Sequence, residues 1–302
     1  MQKPLVTIGI PVYNGELTIK KCIESVLSQT YENLEIIISD NGSTDLTSDI
    51  CTKFLKKDDR IIFVKQEKNM GQIYNFNFPL EKANGKYFVW VVSDTIILPE
   101  FIEKNIMILE SMDNAVGSIS KIKIISTDNR FKAEKEIFKK IGLVYRPHNA
   151  SDGGGVISIK GNYRKRIRKY LRHFPWQMLL AVYRTEVLRE SAIPEFLVSW
   201  DASLVLNILK HGEIHVVDQF LLESYPMDTS TKNLNQVNDK SYSEYSQNKK
   251  NFLEQSFPFY PITKWCIDNL GWKLFFINFD HFVRLGLDGI LLKLIAQYQK
   301  IR

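Results

Sequence analysis

The first 125 residues alternate short runs of β-branched residues with stretches whose apolar residues recur at helical spacing. Strands are predicted at residues 6–12, 34–39, 61–65 and 87–92, because each is a short apolar run bounded by polar or turn-forming residues. Between the first two strands, the apolar side chains from Ile19 to Leu27 fall on one helical face. This alternation predicts an α/β fold with a mostly parallel central sheet flanked by helices.

The remainder of the chain is less regular. Residues 152–155 form a glycine-rich run typical of a loop, and residues 160–172 are densely basic. Helices are predicted near residues 185–189 and 199–210, with a strand at 214–217.

Two apolar stripes at helical spacing close the sequence, one from Trp272 to Val283 and one from Leu287 to Tyr298. They predict a C-terminal helical hairpin. We therefore divide the chain into a domain of residues 1–225, with halves 1–125 and 126–225, and a C-terminal helical extension of residues 226–302.

Charge and cysteine content narrow the class of protein. The net charge of +6 favours anionic partners such as nucleotide phosphates or phospholipid, and without a supporting motif nucleic acid is not expected as a partner. Cys22, Cys51 and Cys266 lack metal-ligand and disulfide spacing, so they are expected to be buried free thiols. No leader-like start and no uncharged apolar run of about 18 residues is present, so a cytoplasmic chain is expected.

Polar residues directly follow each of the four predicted strands. The segments are 11–16, 39–45, 69–71 and 93–95. In an open parallel sheet, ligands bind beyond the carboxyl ends of the strands. All four segments are therefore expected at one edge of the sheet.

The order and spacing of these segments resemble the family 2 glycosyltransferases, which are inverting enzymes of the A-type nucleotide-sugar (GT-A) fold. The resemblance covers about the first hundred residues and rests on VTIGIPVYN at 6–14, SQTYENLEIIISDNGSTD at 28–45, NMG at 69–71 with NFN at 75–77, and NGKY at 84–87. It implies transfer of a sugar from a nucleotide sugar, such as a uridine diphosphate sugar, to a hydroxyl of a glycan or lipid-linked acceptor, with inversion.

By this resemblance, Pro11, Tyr13 and Glu16 line the nucleotide base and ribose, and Asp40 accepts a hydrogen bond from the base. A carboxylate that accepts from a uracil imide gives charge-assisted selectivity. Alternatively, Asp40 belongs to a turn and helix cap, and the two roles are compatible. The rest of the implied donor-binding set is Asn69, Gly71, Asn75, Ser93 and Asp94, and Ser43 and Thr44 are predicted to cap the second helix.

The acidic turn after the fourth strand is reduced relative to the family. Members usually carry two or three carboxylates there, whereas this chain reads Val92-Ser93-Asp94-Thr95. A divalent cation on a donor diphosphate needs only one or two protein carboxylates, so Asp94 is predicted to hold Mg²⁺ or Mn²⁺. The cation would neutralise charge on the departing nucleoside diphosphate.

Inverting transfer also needs a base that removes the proton of the acceptor hydroxyl. The resemblance implies an acidic residue at the start of a helix, ahead of a glycine and a strand, and Asp201 matches this position. A helix N-terminal aspartate favoured by the macrodipole is the alternative. Trp176 and Trp200 are predicted on the acceptor side, although a lone tryptophan is more often a core residue.

The candidate contacts with larger partners are less defined. The basic stretch 160–172 is a candidate for contact with the diphosphate, an anionic acceptor or a membrane surface, and a solvated charged face is the alternative. The C-terminal stripes could lie in a membrane interface or pack against the domain. Peripheral contact with the inner face of a membrane is therefore a hypothesis, and the oligomeric state is not predicted.

A competing interpretation is a degenerate homologue that binds nucleotide or glycan without turnover. The reduced acidic turn favours it, as does the absence of an arginine and histidine motif that the family often has after the next strand, where residues 223–228 read ESYPMD. A dinucleotide oxidoreductase is disfavoured, because no G-x-G-x-x-G follows the first strand.

Overall fold

The computed structural model describes residues 3–125, 155–193, 199–225 and 260–287. The first half contains β1 (Val6–Val12), α1 (Ile19–Leu27), β2 (Leu34–Asp40), α2 (Thr47–Leu55), β3 (Ile61–Lys65), α3 (Gln72–Lys82), β4 (Tyr87–Trp90), β5 (Thr95–Ile97), α4 (Phe101–Ser111) and β6 (Ala115–Ile124). The second half contains α5 (Tyr163–His173), a 3-10 helix (Trp176–Leu180), β7 (Val182–Arg184), α6 (Thr185–Ser191), α7 (Trp200–His211), β8 (Glu213–Ser224), α8 (Tyr260–Leu270) and α9 (Trp272–Ile277). Helical residues continue over 279–287.

The strands of the described residues form one sheet in the order β3-β2-β1-β4-β7-β6-β8-β5. The neighbours β3, β2, β1 and β4 run parallel to one another, as the sequence predicts. Strand β7 is antiparallel to both of its neighbours, and β5 is antiparallel to β8. The four parallel strands end together at one side of the sheet, which we call the carboxyl edge.

The centre of the sheet is covered by helices on both faces. Every residue of β1 is buried, as expected for a parallel strand without a solvated face. The predicted apolar stripe of α1 is confirmed, with Ile19, Cys22, Ile23 and Val26 all buried. The three cysteines are buried free thiols, again as predicted.

The edge of the sheet beyond β4 departs from the predictions. Strands β5, β6 and β7 were not predicted, and β8 spans Glu213–Ser224 where only residues 214–217 were expected. Strands β5 and β7 have three residues each. Such short strands form because neighbouring strands offer partners, and they leave little local signal in the sequence.

The described C-terminal helices pack against the rest of the domain. Ile262 and Cys266 of α8 are buried in the same apolar core as the central strands, and so are Phe282 and Leu285. Helix α8 contacts α7. The second stripe of the predicted hairpin begins at Leu287, the last described residue of this range, so the rest of the stripe lies outside the described residues, as do residues 126–154 and 226–259. In the described part of the chain, no helix combines the length and apolarity that crossing a bilayer requires.

Candidate active site

The loop after β1 is held against the loop after β2 at the carboxyl edge. The amide of Asn14 donates to Ser43 Oγ at 2.9 Å, and the amide of Gly15 donates to Thr47 Oγ1 at 2.8 Å. In the opposite direction, the amide of Thr44 donates to Asn14 Oδ1 at 2.9 Å. These reciprocal bonds fix both loops relative to each other.

The residues predicted to line the base and ribose differ in their exposure to solvent. Pro11 is buried within β1, whereas the side chain of Tyr13 is 46% exposed. Glu16 accepts a hydrogen bond from the amide of Leu46 at 3.0 Å, and its own amide donates to Asp45 Oδ2 at 3.1 Å. Tyr13 and Glu16 therefore lie at the surface of the paired loops, and Pro11 lies beneath them.

Asp40, the last residue of β2, is fully buried. Its Oδ1 accepts from the amide of Ser43 at 2.8 Å, and its Oδ2 accepts from the hydroxyl of Ser48. The turn role considered from the sequence is therefore present, although Ser43 does not cap α2, which begins at Thr47 without a side-chain cap. Each carboxylate oxygen can accept more than one hydrogen bond, so a further bond from the nucleotide base is chemically compatible with these contacts. Recognition of the base by Asp40 stays a prediction.

Asn41 connects the β2 loop to the segment before α3. Its Nδ2 donates to Asn69 Oδ1 at 2.9 Å and to the carbonyl of Gly71 at 3.2 Å, and its Oδ1 accepts from the amide of Met70 at 2.8 Å. Asn41 is only 3% exposed, so these bonds form away from water. Of the predicted donor-binding residues, Asn69 and Gly71 are thereby fixed beside β2.

Close backbone approach makes a glycine necessary in this loop. Gly42 has a φ of 74°, and a Cβ at this position would lie 2.7 Å from the carbonyl carbon of Lys68. Both observations disfavour any other residue, because the left-handed conformation and the contact are each costly for a side chain.

Asn75, on the first turn of α3, links the helix to the ends of β1 and β2. Its Oδ1 accepts from the hydroxyl of Ser39 at 2.6 Å, and its Nδ2 donates to the carbonyl of Val12 at 3.2 Å. Asn75 is buried, so its amide is committed to these strand ends. Its effect on a donor would therefore be through positioning.

Asp94 follows β4 at the same edge. Ser93 Oγ lies 3.4 Å from the position that a Cβ on Gly15 would take, which places the turn against the β1 loop. The backbone carbonyl of Asp94 accepts from the amide of Tyr225 at 2.9 Å. Burial raises the pKa of the Asp94 carboxyl. The carboxylate accepts a hydrogen bond from its own backbone amide, which opposes part of this shift, and no other described residue donates to it.

These properties of Asp94 fit a divalent cation held jointly with a ligand. Within the described residues no group of three or more potential metal ligands occurs, so these residues alone do not form a complete site. A partly desolvated carboxylate that accepts no bond from another described residue gains from a nearby cation. One protein carboxylate is enough to hold Mg²⁺ or Mn²⁺ when phosphate oxygens and water supply the remaining ligands.

Asp201 is the second residue of α7, whose N-cap residue Ser199 has a φ of 64° that is unusual for a serine. Burial raises the pKa of the Asp201 carboxyl, although the residue keeps some exposed surface. Burial and the nearby charge of Asp201 both raise the pKa of the Tyr170 hydroxyl, which is buried and has no hydrogen-bond partner within the described ranges. A carboxylate with a raised pKa is suited to accepting a proton.

Helix α3 joins the surroundings of Asp201 to the carboxyl edge. The ring of Trp200 packs edge-on against Phe76, with centroids 5.2 Å apart, and Phe76 directly follows Asn75. The indole of Trp90, at the end of β4, donates to the carbonyl of Phe76 at 2.8 Å. Parallel pairing brings the ends of β2 and β4, and hence Asp40 and Asp94, to either side of β1, and α3 connects this edge to the start of α7.

The two predicted acceptor-side tryptophans differ in their surroundings. Trp200 is buried, so its observed contacts are those of a core residue, whereas Trp176 is 37% exposed at the start of the 3-10 helix. An acceptor contact by either residue stays a prediction.

The basic stretch 160–172 is largely α5, and part of it has a structural role. The guanidinium of Arg166 donates to the carbonyls of Leu209 and Lys210, in the last turn of α7, at 2.9 Å and 3.3 Å. Arg168 pairs with Asp280 at 3.1 Å. The stretch is thus an amphipathic helix, with Ile167, Tyr170 and Leu171 buried.

Sequence reasoning missed two residues of this region. Asn41 lies inside the segment used for the resemblance, and its place directly after a buried strand could have identified it. Tyr170 was hidden in a run of charges, where the available signal was that Tyr170 and Leu171 lie three and four residues after Ile167.

Residues 7–169 match the profile of glycosyl transferase family 2. An uncharacterised glycosyltransferase of Haemophilus influenzae is 40% identical over 122 residues, which are 40% of this chain and 38% of that protein. The glycosyltransferase GlyG of Streptococcus pneumoniae is 37% identical over 99 residues, 33% of each chain. The match therefore spans less than half the length of either relative.

A longer match is an uncharacterised glycosyltransferase of Methanocaldococcus jannaschii, 26% identical over 292 residues that cover 92% of this chain and 87% of that one. Among solved structures, residues 1–349 of S. aureus TarS superpose with a TM-score of 0.57 at 15% identity, covering 93% of this chain and 81% of that one. A mannosyltransferase of Pyrobaculum calidifontis gives 0.54 at 14% identity, covering 86% and 68%. These likenesses confirm the predicted GT-A fold, and the profile match over more than half of its length shows that the chain belongs to glycosyl transferase family 2.

Proposed function

We propose that the chain transfers a sugar from a nucleotide sugar, most simply a uridine diphosphate sugar, to a hydroxyl of a glycan or lipid-linked acceptor with inversion at the anomeric carbon. The observation that carries the proposal is the half-buried carboxylate of Asp94 at the carboxyl edge, next to the paired β1 and β2 loops, in a chain of family 2. The structures of TarS with UDP-GlcNAc and of the Pyrobaculum enzyme with GDP-Man and Mn²⁺ support a nucleotide-sugar donor.

In this proposal the donor lies along the carboxyl edge. The exposed ring of Tyr13 and the side chain of Glu16 contact the base and ribose, and Asp40 accepts from the base. The segment Asn69–Gly71, fixed by Asn41, borders the nucleotide from the other side. Tyr13 and Glu16 need little rearrangement, because the loops are already bound to each other, and a rigid site loses less free energy on binding. Asp40 is fully buried, so its carboxylate must be uncovered before the base can bond to it.

Asp94 would hold Mg²⁺ or Mn²⁺ together with the donor diphosphate, and the cation would supply neutralisation of the charge that builds on the leaving group. The protein's own contribution is to keep Asp94 partly desolvated, where its charge acts through a low dielectric. Ser93 lies between Asp94 and the β1 loop, within reach of the same diphosphate.

Asp201 takes the proton of the acceptor hydroxyl. As the oxygen of that hydroxyl forms its bond to the anomeric carbon, the bond from this carbon to the diphosphate oxygen breaks, and the electron pair leaves with the nucleoside diphosphate. The raised pKa of Asp201 suits a base that must be ionised before the step and protonated after it. Trp176 offers an exposed ring on which an acceptor sugar can stack.

We place the activity in the cytoplasm, at the inner face of a membrane when the acceptor is lipid-linked. The buried free thiols support a reducing compartment.

The test is release of nucleoside diphosphate from a panel of nucleotide sugars, with Mn²⁺ or Mg²⁺ and with glycan or lipid-linked acceptors. Wild type is compared with Asp94→Asn and Asp201→Asn, and Asp113→Asn serves as a matched control because this aspartate is exposed between α4 and β6. The proposal expects turnover by wild type and the control and large losses in the other two. Nucleotide binding without turnover across the panel would instead support the degenerate homologue, which the single carboxylate of the acidic turn favours.

A further inference from the structure

A stripe of exposed apolar side chains runs along the C-terminal helices. Trp272, Phe276, Phe279, Val283 and Leu287 are 60%, 65%, 52%, 45% and 61% exposed. Monomeric proteins rarely expose large apolar residues as a continuous group, so such a stripe marks a surface that meets an apolar partner.

The stripe is one face of a nearly continuous helix. Its members are separated by four, three, four and four residues, which places them on one side of the helical axis. The opposite face is already used, since Leu274, Phe282 and Leu285 are buried against the domain. The indole of Trp272 stacks on Phe276 with centroids 5.8 Å apart, so the aromatic side chains form one surface and not isolated contacts.

This aromatic stripe lies beside the basic helix α5. The guanidinium of Arg168 donates to the carbonyl of Ile277 at 2.8 Å and pairs with Asp280, and Arg284 donates to the carbonyl of Leu171 at 3.0 Å. Ile277, Asp280 and Arg284 occupy the side of the helix next to the stripe, so α5 borders it along its length.

The face of α5 turned to solvent is uniformly positive. The helix contains no acidic residue, and its exposed members include Arg164, Lys165, Lys169 and Arg172. Lys273 adds a further exposed cation at the start of α9. Aromatic residues beside a positively charged face are the two components by which peripheral helices bind the interface of an anionic bilayer.

We propose that the stripe and the outer face of α5 form one docking surface for a bilayer rich in anionic lipid. Trp272, Phe276 and Phe279 insert at the level of the headgroups, and the cations of α5 contact lipid phosphates. A second copy of the chain fits less well, because two such faces would bring like charges together. This inference does not depend on sugar transfer, since it concerns binding alone.

The experiment is flotation of the full-length chain with vesicles of phosphatidylcholine containing phosphatidylglycerol, and with vesicles of phosphatidylcholine alone, in the absence of nucleotide and sugar. Wild type should float with the anionic vesicles and lose binding as salt is added. Trp272→Ser/Phe276→Ser and Lys165→Glu/Lys169→Glu should each bind at least about tenfold more weakly. Because all four side chains are exposed, melting temperatures should stay near that of wild type.

Two matched controls carry the same substitutions elsewhere. Met107→Ser removes an exposed apolar side chain from α4, and Lys56→Glu/Lys57→Glu reverses two exposed cations at the end of α2. Both should bind vesicles like wild type. The proposal is overturned if wild type fails to float, if the stripe and α5 variants float normally, or if light scattering shows a dimer that Trp272→Ser/Phe276→Ser abolishes without any vesicle binding. Nucleoside diphosphate release by wild type, measured separately without lipid, tests the proposed function independently of vesicle binding.

Discussion

Replacement of Asn41 by alanine tests whether the loops of the carboxyl edge are held together as the structure indicates. The side chain makes three hydrogen bonds, to Asn69, Gly71 and Met70, at 2.8 to 3.2 Å, and it is 3% exposed. Alanine removes all three and leaves the amide of Met70 without this partner.

The magnitude follows from the number of bonds and their burial. A net contribution of about 1 kcal/mol for each bond, with the added penalty of a buried amide left unpaired, gives a loss of roughly 2–4 kcal/mol in the free energy of unfolding. For a chain of this size the melting temperature should fall by roughly 5–10 °C. Because the same bonds position the Asn69–Gly71 segment, the affinity for uridine diphosphate should fall by about tenfold or more.

The assay is urea unfolding followed by circular dichroism, with calorimetric titration of uridine diphosphate in the presence of Mn²⁺. Asn33→Ala is the matched control, since Asn33 makes one exposed side-chain bond, to the carbonyl of Lys3 at 2.7 Å, at the far end of β2. It should cost less than about 0.5 kcal/mol and leave nucleotide binding unchanged. If Asn41→Ala proves no less stable than Asn33→Ala, the network does not stabilise this edge and the reasoning is wrong.

Three further substitutions address the site. Asp94→Asn should lower kcat by about 10²-fold or more without loss of stability at neutral pH. Burial raises the folded-state pKa of this carboxyl, so its ionisation lowers the stability of wild type above the unfolded-state pKa of about 3.9. Any gain in unfolding free energy of the variant over wild type, measured by urea unfolding, should therefore disappear below that pH. Asp201→Asn should lower kcat by about 10²–10⁴-fold, while nucleotide affinity, measured by calorimetric titration, stays unchanged. Wild-type kcat should decline as pH falls through the raised pKa of Asp201, and unaltered turnover by the variant would show that Asp201 is not the base. Gly42→Ala forces a side chain into φ 74° and against Lys68, so urea unfolding should show a loss above about 1 kcal/mol; a stable variant would contradict the tight approach.

The central sheet could be predicted from the sequence because each of its strands has a clear local pattern of apolar residues. The run from Val6 to Val12 is apolar except for Thr7 and is followed by turn residues, so its place in a buried parallel sheet could be inferred without knowing its neighbours. Strand β7, by contrast, has three residues and exists because β4 and β6 pair with it. Its formation depends on tertiary contacts that no local pattern records.

The site shows the same limit at the level of side chains. That Asp40 and Asp94 share an edge follows from the parallel direction of their strands, which the alternation of elements predicted. The commitment of both Asp40 oxygens to Ser43 and Ser48 did not follow, because it depends on how a loop folds back on itself. Likewise, charge count could not show that Arg166 would bind the end of α7 while Lys165 and Lys169 stay at the surface.

The adjacency of Asn75 and Phe76 in α3 bears on how kinetic data from this protein should be interpreted. One residue is bonded to the ends of β1 and β2 and the next packs on Trp200, so a shift of this helical turn displaces both neighbourhoods at once. Michaelis constants for the two substrates are thus expected to change together in variants of this turn, and neither constant by itself would identify which substrate a residue touches.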